Sequence, residues 1–210
     1  MKVMIPCSEN LEVIKRKSNL PSVLIQVLAT TTTYQERTET SLLTSLRAKN
    51  SFAEWIAALV ALNPQANLQN GSKLAFAEVL EKNVTSLNDL RELEISLDES
   101  DLFVYEKVAN TPVDNPIVSV SLYLKFRGEI IEAARITATG ASKEPYSLIT
   151  CAKELVGKEL DSQTIAEIKK KVCEELTPVG NYLGSADYRK EMTATLIENI
   201  LDEKRNGEIE

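Results

Sequence analysis

The chain has 210 residues, of which 43% are hydrophobic and 26% charged, and its formal net charge is −7. This composition can build a buried core in one domain or two small ones, and it excludes a largely disordered chain. The basic residues are dispersed, no apolar run is long enough to cross a bilayer and no signal peptide is present, so we expect a cytoplasmic protein that contacts neither nucleic acid nor a membrane.

The N-terminal quarter shows a mixed pattern. Ser8 is placed to cap a short helix that runs through Arg16. The β-branched, apolar-rich stretch from Ser22 to Tyr34 is typical of a strand. The pattern then becomes helical, with one face marked by Leu42, Leu43 and Leu46.

A capping-box pattern, Ser51-Phe-Ala-Glu54, opens the next predicted helix, and Pro64 follows the end of that helix. Trp55 stands among aliphatic residues at helical spacing. Such a tryptophan is more often part of a core than a platform for a cofactor, so we predict that Trp55 is buried.

From Leu93 the apolar period changes to two, which indicates strands. Leu102–Val108 is predicted as one strand, and a second runs from Val118 to Phe126. In the second strand apolar residues alternate with polar or amphipathic ones, which predicts one buried face. Arg127-Gly128 then turns the chain into a partner strand that continues to Gly140. In the strand from Val118 to Phe126, the polar or amphipathic residues are Ser119, Ser121, Tyr123 and Lys125.

The remaining periodicity predicts helices over 146–156, 162–176 and 185–202. Pro178 stops the second of these, the chain turns through Gly180 and Gly184, and Ser185 caps the last helix. The predicted fold class is therefore α+β. It consists of an antiparallel three-stranded sheet packed with C-terminal helices, preceded by a small α/β region.

Several missing features limit the chemistry. The chain has no histidine, which excludes a Ser/His/Asp or Cys/His pair and a histidine metal ligand. Its first glycine is Gly71, whereas a pyrophosphate cradle needs glycine for close backbone approach. Hydroxyls in Ala29-Thr-Thr-Thr-Thr-Tyr34 could bond a phosphate, but we favour a plain strand. The three cysteines, Cys7, Cys151 and Cys173, have no short spacing, which indicates neither a disulfide framework nor a zinc or iron–sulfur site, and buried structural thiols are predicted at Cys151 and Cys173.

Three segments form a compound pattern: Phe103-Val-Tyr-Glu-Lys-Val108, Ile117-Val-Ser-Val-Ser-Leu122 with its hairpin, and Gly184-Ser-Ala-Asp-Tyr-Arg189. Together they resemble the C-terminal domain of the flavin subunit of molybdenum hydroxylases, the carbon monoxide dehydrogenase and xanthine dehydrogenase type. The resemblance covers about Trp55 to Leu201. It implies an oxidoreductase component that binds FAD, takes electrons from iron–sulfur and molybdenum-cofactor subunits, and mainly positions the cofactor.

The family places a lysine, then an arginine, then an acidic residue close to the flavin. Lys107 matches the lysine and Asp114 the acidic position, while Thr111 stands near the place of the arginine. Lys107 and Asp114 are therefore the candidate cofactor-binding residues, and no catalytic or metal-binding residue is predicted. The alternative for Lys107 is a solvated charge at a strand end.

The closing segment invites a functional interpretation of two further residues, but we predict that both support the docking of the last helix. Tyr188 is expected to pack its ring at a boundary. Arg189 is expected to pair with a carboxylate or with carbonyls at a helix end.

Two functions remain open. The first is a flavin-subunit-like component that passes electrons through FAD. The second is a non-flavin relative that serves as a structural, assembly or interaction module. Because the family's two glycine-containing pyrophosphate loops are missing, we expect that this chain alone does not bind FAD. A homodimer is expected if a sheet edge or the helix around Trp55 is left bare. The expected regions are a degenerate FAD-domain remnant (1–98), a domain like the C-terminal one of the flavin protein (99–204) and a disordered tail (205–210).

Overall fold

The computed structural model describes residues 2–81, 87–98, 100–111 and 114–209. The chain divides into two compact units, Met1–Glu99 and Ser100–Glu210. Each unit has a four-stranded antiparallel sheet together with helices, so the predicted α+β class is confirmed. Among the described residues, no helix is both long and apolar enough to cross a membrane.

In the first unit, most helices lie in sequence between the first strand and the remaining strands of the sheet. The described elements in chain order are β1 (Lys2–Pro6), α1 (Leu11–Lys15), α2 (Ser22–Thr31), α3 (Tyr34–Glu39), α4 (Leu42–Arg47), α5 (Ala53–Leu62), β2 (Gln65–Leu68), β3 (Lys73–Ala75), α6 (Phe76–Glu81) and β4 (Leu90–Ser96). The strand order in the sheet is β1-β4-β2-β3.

The strand predicted over Ser22–Tyr34 is wrong, because α2 and the start of α3 occupy this stretch. Three fully buried residues, Leu24, Val27 and Leu28, recur at helical spacing and form the inner face of α2. This face packs against α5. The tertiary packing therefore outweighs the β propensity of the threonines, which is only a weak preference.

Two predicted helix starts are also wrong. Helix α1 is capped by Asn10 rather than Ser8, and the Asn10 Oδ1 accepts a hydrogen bond from the Val13 amide at 3.0 Å. The Ser51–Glu54 capping box does not form, since α5 follows Phe52 without a side-chain cap. Helix α5 exists as predicted, and its core is the reason: Trp55 and every residue from there to Leu62 is buried.

The second unit carries the longest strands and helices. Its described elements are β5 (Leu102–Val108), β6 (Val118–Arg127), β7 (Ile130–Thr139), β8 (Tyr146–Ile149), a 3₁₀ helix (Thr150–Leu155), α7 (Ser162–Glu175) and α8 (Ala186–Asn206). The strand order is β5-β6-β7-β8, and each neighbouring pair is antiparallel.

The core of the second unit lies between one face of this sheet and the two long helices. Each fully buried aliphatic side chain there contributes about 1.5–3 kcal/mol relative to exposure. The cluster includes Val120, Leu122 and Leu124 of β6, Ile165, Ile168 and Val172 of α7, and Ile197, Ile200 and Leu201 of α8.

The sheet of the second unit has one strand more than predicted, because Tyr146–Ile149 is β8 and not the start of a helix. This strand pairs with the end of β7, from Thr139 opposite Tyr146 to Ile136 opposite Ile149. The helix predicted over 146–156 is reduced to the 3₁₀ turn. The Glu175 carboxylate accepts hydrogen bonds from the first amides of that turn, at 2.6 Å from Thr150 and 2.9 Å from Cys151.

Strand β6 also departs from the predicted single buried face. Ser119, Ser121 and Tyr123 are buried as well as their apolar neighbours, and only the end of the strand emerges into solvent. The small polar side chains form hydrogen bonds on this second face, for example between the Ser119 and Thr139 hydroxyls at 2.8 Å. Alternation in the sequence therefore reports side-chain polarity here, not exposure.

Candidate functional site

The two predicted cofactor-binding residues lie together at one end of the second sheet. Lys107 is near the end of the pairing between β5 and β6, opposite Ser119. Its Nζ donates a hydrogen bond to the backbone carbonyl of Asp114 at 3.2 Å. The Ile117 amide then donates to the Val108 carbonyl at 2.7 Å and closes the connection between the strands. The Asp114 side chain itself stays exposed.

The arginine that the resemblance implies between these two residues is absent. Residues 109–117 contain no arginine, and Thr111 is exposed with a short neutral side chain. The Asp114 amide donates to the Thr111 carbonyl at 3.1 Å, which makes a tight local turn. The connection between β5 and β6 therefore lacks the second cation that the pattern implies beside Lys107.

A buried cation, Arg189, lies at the same end of the sheet. Its side chain is 5% exposed, and its guanidinium donates to the carbonyls of Ile117, Gly140 and Gly184. The fourth acceptor is Asn181 Oδ1 at 2.7 Å. The prediction that Arg189 pairs with a carboxylate or with carbonyls at a helix end is corrected: its acceptors are carbonyls at strand ends and in the turn before α8, together with the Asn181 amide oxygen.

The turn before α8 is held tightly by these contacts. Asn181 and Gly184 exchange backbone hydrogen bonds at 3.0 and 3.2 Å. Ser185 caps α8 as predicted, since its hydroxyl accepts from the Tyr188 amide at 3.1 Å. The Tyr188 ring packs against Gly184, where an added Cβ would lie only 3.0 Å from the ring. Helix α8 runs to Asn206, four residues beyond the predicted end.

The threonine run in the first unit does not form a phosphate site. The hydroxyls of Thr30, Thr31 and Thr32 donate to backbone carbonyls four residues earlier, at 2.9, 2.7 and 2.5 Å. Thr33 caps α3 through a capping box with Glu36. Moreover, the run lies at the C-terminal end of α2, where the helix dipole disfavours an anion. A pyrophosphate therefore finds neither free hydroxyls nor a glycine-lined backbone here.

The buried Arg37 reinforces this closure. Its Nη1 donates to the carbonyls of Leu28 and Thr32 at 3.1 and 2.6 Å, so it satisfies the last turn of α2. Its Nε donates to Glu12 Oε2 at 2.7 Å, and the Arg37 hydrogen bond holds the pKa of Glu12 below its ordinary value. The Nε and Nη1 groups of this buried guanidinium are thus bonded to the protein itself.

Burial shifts the pKa of two thiols and of one carboxylate. Desolvation raises the pKa of Cys7 and of Cys151 to about 12, so both thiols stay protonated near neutral pH. Desolvation and the nearby Glu203 carboxylate raise the pKa of Glu106. Within the described residues, no group of three or more histidine, cysteine, aspartate or glutamate side chains is arranged to hold a metal ion.

A shallow groove of about 420 Å³ lies at the other end of the second sheet, beside the β6–β7 hairpin. Lys204 lies over the Phe126 ring at 5.6 Å from the centroid. Glu129, Glu159 and Arg205 also line the groove, so its charges are of both signs. It is separated along β6 from Lys107 and Asp114, and it does not extend their site.

Comparison with known proteins relates the second unit to a known family. Residues 103–204 match the family model of the CO dehydrogenase flavoprotein C-terminal domain. The glyceraldehyde dehydrogenase medium chain of Sulfolobus acidocaldarius is 30% identical over 93 residues, which are 44% of this chain. That match spans only 33% of the relative's own length.

Solved structures extend the likeness to nearly the whole chain. Carbon monoxide dehydrogenase from Hydrogenophaga pseudoflava, in a form that lacks the Mo-pyranopterin moiety of its molybdenum cofactor, aligns with a TM-score of 0.76 and 14% identity over 94% of this chain and 73% of that one. Quinoline 2-oxidoreductase from Pseudomonas putida 86 aligns with a TM-score of 0.76 and 19% identity over 98% and 75%. At these identities, the likeness establishes the fold.

Residues 103–204, which form most of the second unit, are therefore similar to the CO dehydrogenase flavoprotein C-terminal domain family. The resemblance to the flavin subunit of molybdenum hydroxylases that the sequence predicts is confirmed.

Proposed function

We propose that the chain is a component of a multi-subunit oxidoreductase of the molybdenum hydroxylase type, in the position of the flavin subunit. The observation that carries this proposal is the fold match over 94–98% of the chain, joined to the family match of the second unit. The relatives are a dehydrogenase medium chain and two oxidoreductases, so an oxidoreductase assembly is the shared context.

The described residues of the first unit do not fit FAD, and we derive no electron-transfer step through this cofactor. The first glycine is Gly71, and the threonine hydroxyls and Arg37 are bonded to the protein itself. A dinucleotide pyrophosphate needs backbone amides or cations directed at it. These observations favour a chain that does not retain FAD on its own.

Within this proposal the chain acts as an assembly and interaction module, which is the second of the two functions that the sequence leaves open. An electron-transfer role would require that another polypeptide segment supply the rest of the flavin site. Lys107 and Asp114 stay the candidate flavin contacts in that case, because they lie together at the exposed end of the β5–β6 pair.

The proposed partners are subunits that carry the molybdenum cofactor and iron–sulfur clusters. A homodimer through the helix around Trp55 is disfavoured, because α5 is buried and offers no bare apolar surface. A homodimer through another surface stays a prediction, as does the cytoplasmic location.

Reconstitution tests this function directly. The purified chain would be mixed with the molybdenum-cofactor subunit and with the iron–sulfur subunit from the same organism, and complexes would be separated by size. We expect a stoichiometric complex with at least one of them. If the chain elutes alone from both mixtures, the proposed function is wrong.

A further inference from the structure

One exposed surface of the second unit is not explained by the fold. Residues 178–184, termed the Tyr182 turn, lead into α8. Tyr182 is 94% exposed, Val179 just before it is 49% exposed, and Tyr188 just after it is 40% exposed. A tyrosine ring held wholly in water forgoes the burial that aromatic side chains usually gain. These three exposed side chains lie close together in sequence, and clustered exposed apolar surface marks interaction sites.

The composition of this stretch is that of an interface core. Thr177 to Ala186 includes no charged residue, although 26% of the whole chain is charged. Centres of protein interfaces are depleted in charge and enriched in tyrosine. The absence of lysine and arginine argues against nucleic acid or an anionic membrane, both of which are bound through cations.

Hydrogen bonds from a buried arginine hold the Tyr182 turn in place. Arg189 is buried and donates to Asn181 Oδ1 at 2.7 Å and to the Gly184 carbonyl. The Leu183 amide also donates to Asn181 Oδ1, at 2.9 Å. Burial of a charge is costly unless all its donors are satisfied. Here the arginine fixes a surface turn, and a fixed turn loses little conformational entropy when a partner binds.

We propose that the Tyr182 turn is the docking surface for another protein subunit of the same oxidoreductase. That subunit would offer an apolar pocket for the Tyr182 ring and basic groups beside it. The inference rests on the proposed function, because it identifies where the chain meets its assembly.

Charge favours a different subunit over a second copy of this chain. Asp187 lies in the first turn of α8, next to the Tyr182 turn, and is exposed without an ion pair among the described residues. A second copy would bring its own net charge of −7 and its own Asp187 to the contact. A partner with a basic rim would instead pair with this aspartate and gain specificity.

A pair of tyrosine variants tests the surface. Tyr182→Ala removes the proposed anchor, and Tyr34→Ala is the control, since Tyr34 is 61% exposed but lies in the first unit. Binding to the purified molybdenum-cofactor and iron–sulfur subunits would be measured by calorimetry. We expect that the dissociation constant of the Tyr182→Ala complex is about 30-fold or more above that of wild type, which is the size of an interface hot spot. Tyr34→Ala should stay within about twofold of wild type.

Hydrogen–deuterium exchange of the wild-type complex gives a second measurement that needs no variant. The amides of residues 177–186 should exchange more slowly in the complex than in the free chain. If Tyr182→Ala binds like wild type, or if exchange in this stretch is unchanged on binding, the docking surface is wrong while the proposed function stands.

Two further outcomes would also overturn the inference. If the wild-type chain binds neither subunit, the proposed function fails and this surface fails with it. If light scattering instead shows a wild-type dimer that Tyr182→Ala dissociates, the occupant is a second copy and the assignment to a different subunit is wrong.

Discussion

Arg189 shows how one side chain can connect segments that are distant in sequence. It bonds the start of β6 through Ile117, the residue after β7 through Gly140, and the Tyr182 turn through Asn181 and Gly184. Guanidinium has a planar fork of donors that suits several fixed acceptors at once, whereas an ammonium group does not. The arginine is therefore specific to this position rather than replaceable by any cation.

Arg189→Lys should lower the free energy of unfolding by about 2–4 kcal/mol, because the shorter ammonium leaves buried carbonyls or Asn181 without a donor. Urea denaturation followed by circular dichroism measures the change. Arg127→Lys is the matched control, since the Arg127 side chain is 81% exposed. Equal stability of the two variants would show that the Arg189 bonds contribute nothing particular.

Glu12 gives the first unit a defined response to acid. Its carboxylate accepts from Arg37 at 2.7 Å and from Arg16 at 2.9 Å, and the Arg37 bond lowers its pKa below the ordinary value of 4.5. A group whose pKa is lower in the folded state stabilises the fold above its unfolded pKa. That contribution is lost as the pH falls through the folded pKa.

Glu12→Gln should therefore destabilise the first unit at pH 7, and its deficit relative to wild type should shrink as the pH falls below 4.5. Trp55 is the only tryptophan and is buried in this unit, so its fluorescence reports the transition. Glu39→Gln, at an exposed position on α3, serves as the control. A deficit that does not change between pH 7 and acid would contradict the assigned role of the carboxylate.

At the scale of elements, the β6–β7 hairpin has a glycine at each end of β7 with different demands. Gly128 and Gly140 both have positive φ, of 64° and 69°. Space surrounds Gly128, with nothing within 4 Å of an added Cβ. At Gly140 an added Cβ would collide with the Ile117 carbonyl oxygen and lie 2.8 Å from Arg189 Nη1.

Gly140→Ala should therefore cost clearly more stability than Gly128→Ala. The left-handed conformation alone costs about 1–2 kcal/mol for alanine. Displacement of Ile117 and Arg189 should add about 1–3 kcal/mol at position 140, which is the usual range for overpacking. Thermal unfolding of both variants measures the difference. Equal midpoints would show that Arg189 and the Ile117 carbonyl move aside without loss of stability.

The elements that the sequence predicts correctly are those with long, regular patterns. Strands β5, β6 and β7, the Gly128 turn, and α7 and α8 all follow from periodicity and capping residues. The failures are short segments decided by packing. Helix α2 has the β-branched composition of a strand but the buried spacing of a helix, and β8 is fixed by pairing with β7.

The candidate site was only partly predictable for a related reason. The approach of Lys107 to Asp114 spans seven residues and follows from one tight connection. The contact between Arg189 and Ile117 spans 72 residues. No local pattern encodes such a pair, although the motif from Gly184 to Arg189 does mark the segment. The exposure of Tyr182 likewise depends on the folded turn, because its sequence is compatible with a buried ring.

For the whole molecule, the fold is similar to that of known oxidoreductase chains, whereas the described first unit does not fit the pyrophosphate of FAD. The chain has the architecture of known oxidoreductase chains over 94–98% of its length. Yet the described first unit closes the end of α2 with its own threonines and Arg37, and the chain has no glycine before Gly71. The proposed component, which contributes interactions rather than its own flavin, rests on this combination.

Flavin retention is the property to measure first. The purified chain would be incubated with excess FAD and passed through a desalting column. Its visible spectrum would then be recorded, together with flavin fluorescence after denaturation. We expect no bound flavin above that of an unrelated control protein. One FAD retained per chain would contradict it, because a pyrophosphate site would then exist without glycine loops, and Lys107→Ala would be the first variant to examine.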